Sequence, residues 1–190
     1  LNGEDGELPI MVSPMDTVVD EYNYQKFLNL GMTVCTPRGI HVFEPEVFIS
    51  LSLDEFEDIT AWYDGVVDSE HRIRILVDIA NGHMERLYNA VKKFQEIKIS
   101  PYHEIMVGNV ANPQTYKVFA ELGVEYIRMG IGGGSGCLTS ANTGIHYPMA
   151  SLIKESYEIK KQGEYKTKIV ADGGFKNYDE IIKALMLGAD

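Results

Sequence analysis

The chain has 190 residues, 28 of them acidic and 17 basic, which leaves a formal net charge of −11. That balance argues against a nucleic-acid-binding surface, which needs a basic face, but does not exclude a nucleotide substrate, whose phosphate backbone N–H groups can hold. The 45% hydrophobic content suits one ordinary globular core, and no apolar run approaches the roughly 18–20 residues of a membrane span.

Leu1 to Glu7 reads as a polar, glycine-rich loop, and Leu1 in place of a start methionine suggests a piece of a longer protein. Leu8 to Met15 carries a buried strand ending near Val12. Asp16 or Thr17 is placed to cap a helix over 20–30, with Tyr24, Phe27 and Leu28 on one face, and Gly31 stops it. Met32 to Cys35 is a second strand. Thr36 to Glu46 is too broken by Pro37, Gly39 and Pro45 for a full helix. Val47 to Leu53 is a third strand, and 54–67 a helix whose Trp62 is expected in the core.

Ile73 to Ile79 is a fourth strand with Asp78 at its end, an acid that must be solvated or paired there. A helix follows over 84–94, with Leu87, Val91 and Phe94 inward. Ile105 to Val110 is the fifth strand, and Pro113 opens a helix running to Leu122. Tyr126 to Ile131 is the sixth strand. Met149 to Lys161 is a helix, Ile169 to Ala171 the seventh strand, and Tyr178 to Leu187 a last helix stopped by Gly188. His41, His83 and His146 read as loop residues, since no metal-ligand spacing links them.

Strands and helices alternate with short connections, which calls for a parallel sheet with helices outside it. Polar and glycine residues gather after each strand: Ser13, Asp78, Asn109, residues 132–137 and 172–174. In an α/β (β/α)8 TIM barrel these positions share the C-terminal rim, where such enzymes keep their active sites. A doubly wound sheet is the competing fold. Seven strands are present and an eighth is expected beyond Asp190, so 1–190 reads as a single barrel catalytic domain, incomplete at both ends and without an inserted regulatory domain.

The richest stretch follows the sixth strand. Gly130, Gly132, Gly133, Gly134 and Gly136 surround Ser135, Cys137 closes the loop, and Thr139 comes two residues later. Successive backbone N–H groups in such a loop make an anion nest, and their dipoles favour the reactive thiolate of a cysteine held among them. Cys35 and Cys137 are the two cysteines. So few thiols argue against a disulfide framework and fit a reducing, cytoplasmic setting.

In chain order, Ser-Pro-Met-Asp-Thr-Val (13–18), Asp-Ile-Ala-Asn-Gly (78–82), Gly-Asn-Val (108–110), Gly-Ile-Gly-Gly-Gly-Ser-Gly-Cys-Leu-Thr (130–139), Thr-Gly-Ile-His-Tyr-Pro (143–148) and Ala-Asp-Gly-Gly (171–174) resemble the motifs of the GMP reductase and inosine monophosphate dehydrogenase family. Residues 78–82 and 143–148 are more similar to the reductase branch; 13–18 and Arg128 are more similar to the dehydrogenase branch. The resemblance implies the (β/α)8 barrel and a covalent mechanism. The Cys137 thiolate attacks C2 of GMP, ammonia leaves, NADPH delivers hydride, and the cysteine departs to give IMP. A cysteine suits this because it is both a good nucleophile and a fair leaving group.

By the same resemblance Thr139 shuttles protons and Asp172 binds the ribose hydroxyls, with Gly173 and Gly174 leaving room for the nucleotide. Ser135 contacts the phosphate, and Ser13 and Met15 line the nucleotide pocket. Asp78, Ile79, Ala80, Asn109, Ile131 and Gly132 fall on the cofactor side. A monovalent cation, usually potassium, is implied at Gly132, Gly134, Cys137 and Ser140, although the family usually has arginine where Ser140 stands and glutamine where Met149 stands. A homotetramer is implied too. The alternatives are an IMP dehydrogenase using NAD, and a nucleotide-binding or assembly protein without turnover.

Overall fold

The computed structural model describes residues 8–58, 72–97, 103–133, 138–144 and 146–190. The chain divides into two units, Leu1–Asp78 with Ile97–Ile105, and Ile79–Glu96 with Met106–Asp190.

In the first unit the strands β1 (Met11–Val12), β2 (Thr33–Thr36), β3 (Val47–Leu51) and β4 (Ile73–Asp78) lie in chain order, each parallel to the next. Every residue of β2 and β3 is buried, as expected of strands covered on both faces. Val12, Val19, Val34 and Val47 form a core onto which Tyr24, Phe27 and Leu28 pack. Those three belong to α1 (Tyr24–Leu28), shorter than the helix expected over 20–30. Its first turn is replaced by a side-chain turn. Asp20 Oδ1 accepts the N–H groups of Tyr22 and Asn23 at 2.8 and 2.7 Å, and Asn23 Oδ1 accepts the Asp20 N–H at 2.9 Å. Short carboxylate and amide side chains compete with the helix in this way. Residues 53–58 are helical, started by a reciprocal cap. Ser52 N–H donates to Glu55 Oε2 at 2.7 Å, and Glu55 N–H donates to Ser52 Oγ at 3.3 Å. Trp62 lies outside the described residues.

The second unit takes β5 (His103–Val110) from Met106 onward, with β6 (Tyr126–Met129) and β7 (Lys168–Ala171), again parallel and in chain order. Helix α2 (Glu85–Ile97) buries Leu87, Ala90, Val91 and Phe94. A side chain such as Phe94 contributes about 1.5–3 kcal/mol by leaving water. Helix α3 (Pro113–Glu121) starts with proline in its first turn and Asn112 Oδ1 accepting the Gln114 N–H at 2.7 Å. It buries Tyr116, whose hydroxyl donates to the Thr167 carbonyl at 2.9 Å. Burial pushes that phenol well above its ordinary pKa. Three helices follow: α4 (Thr139–Thr143), α5 (Met149–Gln162) and α6 (Tyr178–Leu187). The sequence reading had no helix at α4. Helix α6 has the expected bounds because both ends are signalled, by a capping box between Asn177 and Glu180 and by Gly188 at φ 114°.

The fold is thus α/β with seven strands among the described residues, in the repeating strand–helix order of the (β/α)8 barrel. No helix among the described residues is long and apolar enough to cross a membrane.

Candidate active site

The ends of β5, β6 and β7 bring three polar side chains together. Met129 and Ala171 are register partners, so the residues just after them, Gly130 and Asp172, leave the sheet side by side. Asn109, near the end of β5, donates from Nδ2 to the Gly130 carbonyl and to Asp172 Oδ2, both at 2.6 Å. Both partners are acceptors, which fixes the orientation of the amide. Arg128 Nε donates to the same Asp172 oxygen at 3.0 Å. The Asp172 side chain keeps 22% of its surface exposed and that of Arg128 13%. One anion, one cation and one amide are therefore held together, partly open to solvent, at the strand ends.

The loops above this cluster are in close contact. A Cβ on Gly132, where φ is 73°, would collide with Ser140 Cβ and Oγ. A Cβ on Gly174, where φ is 85°, would lie 2.9 Å from the Gly133 carbonyl oxygen. Glycine is required at both positions for conformation and for space. The loop after β6 thus rests on α4 and on the loop after β7. The methyl end of Met149 lies against Gly130.

On the strand side, Ile79 N–H donates to the Gly108 carbonyl at 2.8 Å, and Asn109 N–H to the Ile79 carbonyl at 2.6 Å. Ile79 and exposed Ala80 therefore begin a turn tied to β5 beside Asn109. Ile131 is 3% exposed and belongs to the core.

The expected site residues divide accordingly. Asp172, Asn109, Gly132, Gly173 and Gly174 belong to this cluster and its loops, and Ser140 meets Gly132. Gly132 and Ser140 are two of the four residues implied for a monovalent cation, and the two are in contact. Gly134, Ser135 and Cys137 lie outside the described residues, and Thr139 is the first residue of α4. Asp78, Ser13 and Met15 belong to the first unit. There Asp78 pairs with Arg38 Nε at 3.5 Å, which supplies the partner its position demanded. Met15 is 52% exposed, and its carbonyl accepts the N–H groups of Val18 and Val19. Arg128 marks one family branch in the sequence, but its contact with Asp172, 44 residues away, is a product of the fold. A basic residue inside a buried strand was the available signal, since such a charge needs a partner.

Comparison with known proteins bears on the fold and the family. Residues 49–190 match the family model described as "IMP dehydrogenase / GMP reductase domain". The inosine-5'-monophosphate dehydrogenase of Methanocaldococcus jannaschii is 32% identical over 136 residues, covering 72% of this chain and 26% of the relative. That of Aquifex aeolicus is 36% identical over 116 residues, covering 60% of this chain and 23% of the relative. The chain thus spans about a quarter of the length of these curated relatives. Among solved structures, the inosine 5' monophosphate dehydrogenase of Legionella pneumophila superposes with a TM-score of 0.74 at 29% identity, covering 96% of this chain and 56% of the other. With its seven-strand fold and the motif set from Ser13 to Gly174, the chain belongs to the IMP dehydrogenase / GMP reductase family.

Proposed function

We propose that the protein is a purine nucleotide oxidoreductase working through a covalent cysteine adduct, in the direction of a GMP reductase. The observation that carries this is the Asn109–Asp172–Arg128 cluster at the ends of three successive strands, beside the glycine loop that leads in sequence to Cys137. In this reading Asp172 accepts the ribose hydroxyls, and its orientation is set beforehand by Asn109 and Arg128. Ser135 and neighbouring N–H groups take the phosphate, and Ser13 and Met15 are the residues that the resemblance assigns to the base. The Cys137 thiolate adds to C2 of GMP, the 2-amino group leaves as ammonia, and hydride from NADPH reduces the adduct carbon. The C–S bond then breaks to release IMP and regenerate the thiolate, with Thr139 relaying protons. Ile79, Ala80, Asn109 and Gly132 are assigned to the cofactor, and Asp78 of the first unit by the resemblance alone, whereas Ile131 is buried in the core. Gly132, Gly134, Cys137 and Ser140 are the residues that would hold a potassium ion. A homotetramer in the cytoplasm is the expected form.

Residues 78–82 and 143–148 favour the reductase direction. The second reading, IMP oxidation by NAD, is favoured by Arg128 on Asp172 and by the dehydrogenase names of the relatives. One assay separates them. Full-length protein, GMP, NADPH and potassium are mixed and the NADPH absorbance is followed, beside a Cys137→Ala sample. GMP-dependent oxidation that vanishes in the variant is the expected result. NAD reduction with IMP instead would establish the second reading, and silence in both would leave a binding protein.

A further inference from the structure

The turn after β4 holds a histidine to which the reaction above gives no task. His83 Nε2 accepts the backbone N–H of Ala111 at 3.1 Å. Its Nδ1 lies 2.7 Å from Thr115 Oγ1. A ring nitrogen that accepts an N–H carries no proton, so the ring is neutral with its proton on Nδ1, directed at the threonine. The surrounding turn is tied to the same stretch. Gly82 N–H donates to the Asn109 carbonyl at 2.8 Å, and Asn81 Oδ1 accepts the His83 N–H at 3.1 Å. There is no slack, because a Cβ on Gly82 would lie 2.6 Å from Val110 Cγ1.

We infer that His83 is a positioning residue: its neutral ring pins the turn over residues 79–82 to Ala111 and Thr115, and so holds in place the residues assigned to the cofactor side. The clamp rests on its hydrogen bonds; its consequence for cofactor rests on the function proposed above. Protonation of Nε2 turns the acceptor into a donor facing a donor, and the Ala111 bond is lost. The charged residues of the elements packed against the ring are Glu85 and Arg86 at the start of α2 and Lys117 and Glu121 on α3. Burial lowers the pKa of the ring.

Two readouts test this on the full-length protein. The first needs no turnover. In protein labelled with 15N at its histidines, the His83 signals, identified by their loss in His83→Gln, should show a bare Nε2 and a protonated Nδ1 at neutral pH. Exchange of the Ala111 amide should speed up about tenfold in His83→Ala, the worth of one hydrogen bond. A proton on Nε2, or unchanged exchange, overturns the clamp. The second readout is kinetic. His83→Ala should raise KM for NADPH about tenfold while changing kcat and KM for GMP by less than about twofold. His83→Gln, which keeps an acceptor and a donor, should recover most of that loss and remove the acid limb of the NADPH KM profile. A lower melting temperature with NADPH KM unchanged, or an equal rise in both KM values, would make His83 merely structural and overturn its positioning role. Absence of any turnover would count against the proposed reaction, while the NMR and exchange results would still decide the clamp.

Discussion

The Arg74–Glu104 pair of the first unit and the Arg128–Asp172 pair of the second use the same chemistry in different settings. Arg74 donates from Nε to Glu104 Oε2 at 2.7 Å, and its side chain is 2% exposed. Its guanidinium sits 5.3 Å from the centre of the Phe48 ring, and Arg72 also donates to Glu104, from Nη2 at 3.1 Å. The Arg74 Nη1 is buried without a hydrogen-bond partner among the described residues. Arg128–Asp172 is longer, more exposed, and shares its carboxylate with the Asn109 amide at the ends of strands. A pair whose arginine is buried under an aromatic ring serves packing. A pair left partly open beside a glycine loop is available to a ligand. The type of ion pair decides less than what surrounds it.

The comparison breaks most readily at Glu104. Removing one partner leaves a buried charge without compensation, so Glu104→Ala should cost about 3 kcal/mol in urea denaturation. Activity per folded molecule should not change. A loss below about 1 kcal/mol would mean that Arg74 is compensated elsewhere, and the contrast would weaken. The opposite profile is expected at Asp172. Asp172→Ala should weaken nucleotide binding roughly thirtyfold, equivalent to about 2 kcal/mol for hydrogen bonds to a charged group. Its effect on stability should be the smaller of the two. Calorimetric titration with GMP and IMP reads the first effect and denaturation the second. Intact affinity together with lost stability would make Arg128–Asp172 a second packing pair.

How far these pairs could be seen in advance follows from the range of the signals. The last helix was legible to the residue because Asn177, Glu180 and Gly188 carry both of its ends locally. The strands were legible as apolar runs between turn residues. The helix expected from a cap at Asp16 or Thr17 is too long, because the Asp20–Asn23 side-chain turn consumes its first residues and the helix starts at Tyr24 after Asn23. Helix α4 was not read at all. Its Thr-Ser-Ala-Asn-Thr has low helix propensity, and it rests against Gly132, a contact made by the fold. The site was legible as a set of motifs, since Asn109, Asp172 and the glycines mark themselves by their place after strands. What joins them was not. Arg128 reaches Asp172 and His83 reaches Ala111 across 44 and 28 residues, and only the strand order brings those positions together.

A smaller effect sharpens the role of the glycine loop in this contrast. At Gly132 the positive φ alone costs a side chain about 1 kcal/mol, and the overlap with Ser140 adds to it. Gly132→Ala should therefore lower both stability and nucleotide affinity, whereas Ser140→Gly in the same chain should return the part due to overlap. Recovery of stability without recovery of affinity would separate loop packing from ligand binding.

The smallest effect expected is the dependence of stability on pH through His83. Burial holds its pKa below the ordinary 6.5 in the folded state, so the unfolded chain takes up the proton first as pH falls. The stability that the neutral ring contributes is thus fully present above about pH 6.5 and declines as pH falls through the window between that value and the lowered folded pKa. Below the folded pKa both states carry the proton and the decline stops. The ring is only partly buried, so water screens the effect and the slope should be shallow. Urea midpoints for the native chain and His83→Gln between pH 5 and 8 measure it, and the difference between them should narrow on the acid side. Parallel curves would mean that no proton is taken up on unfolding at this site, and that the neutral ring has no energetic share in holding the turn after β4.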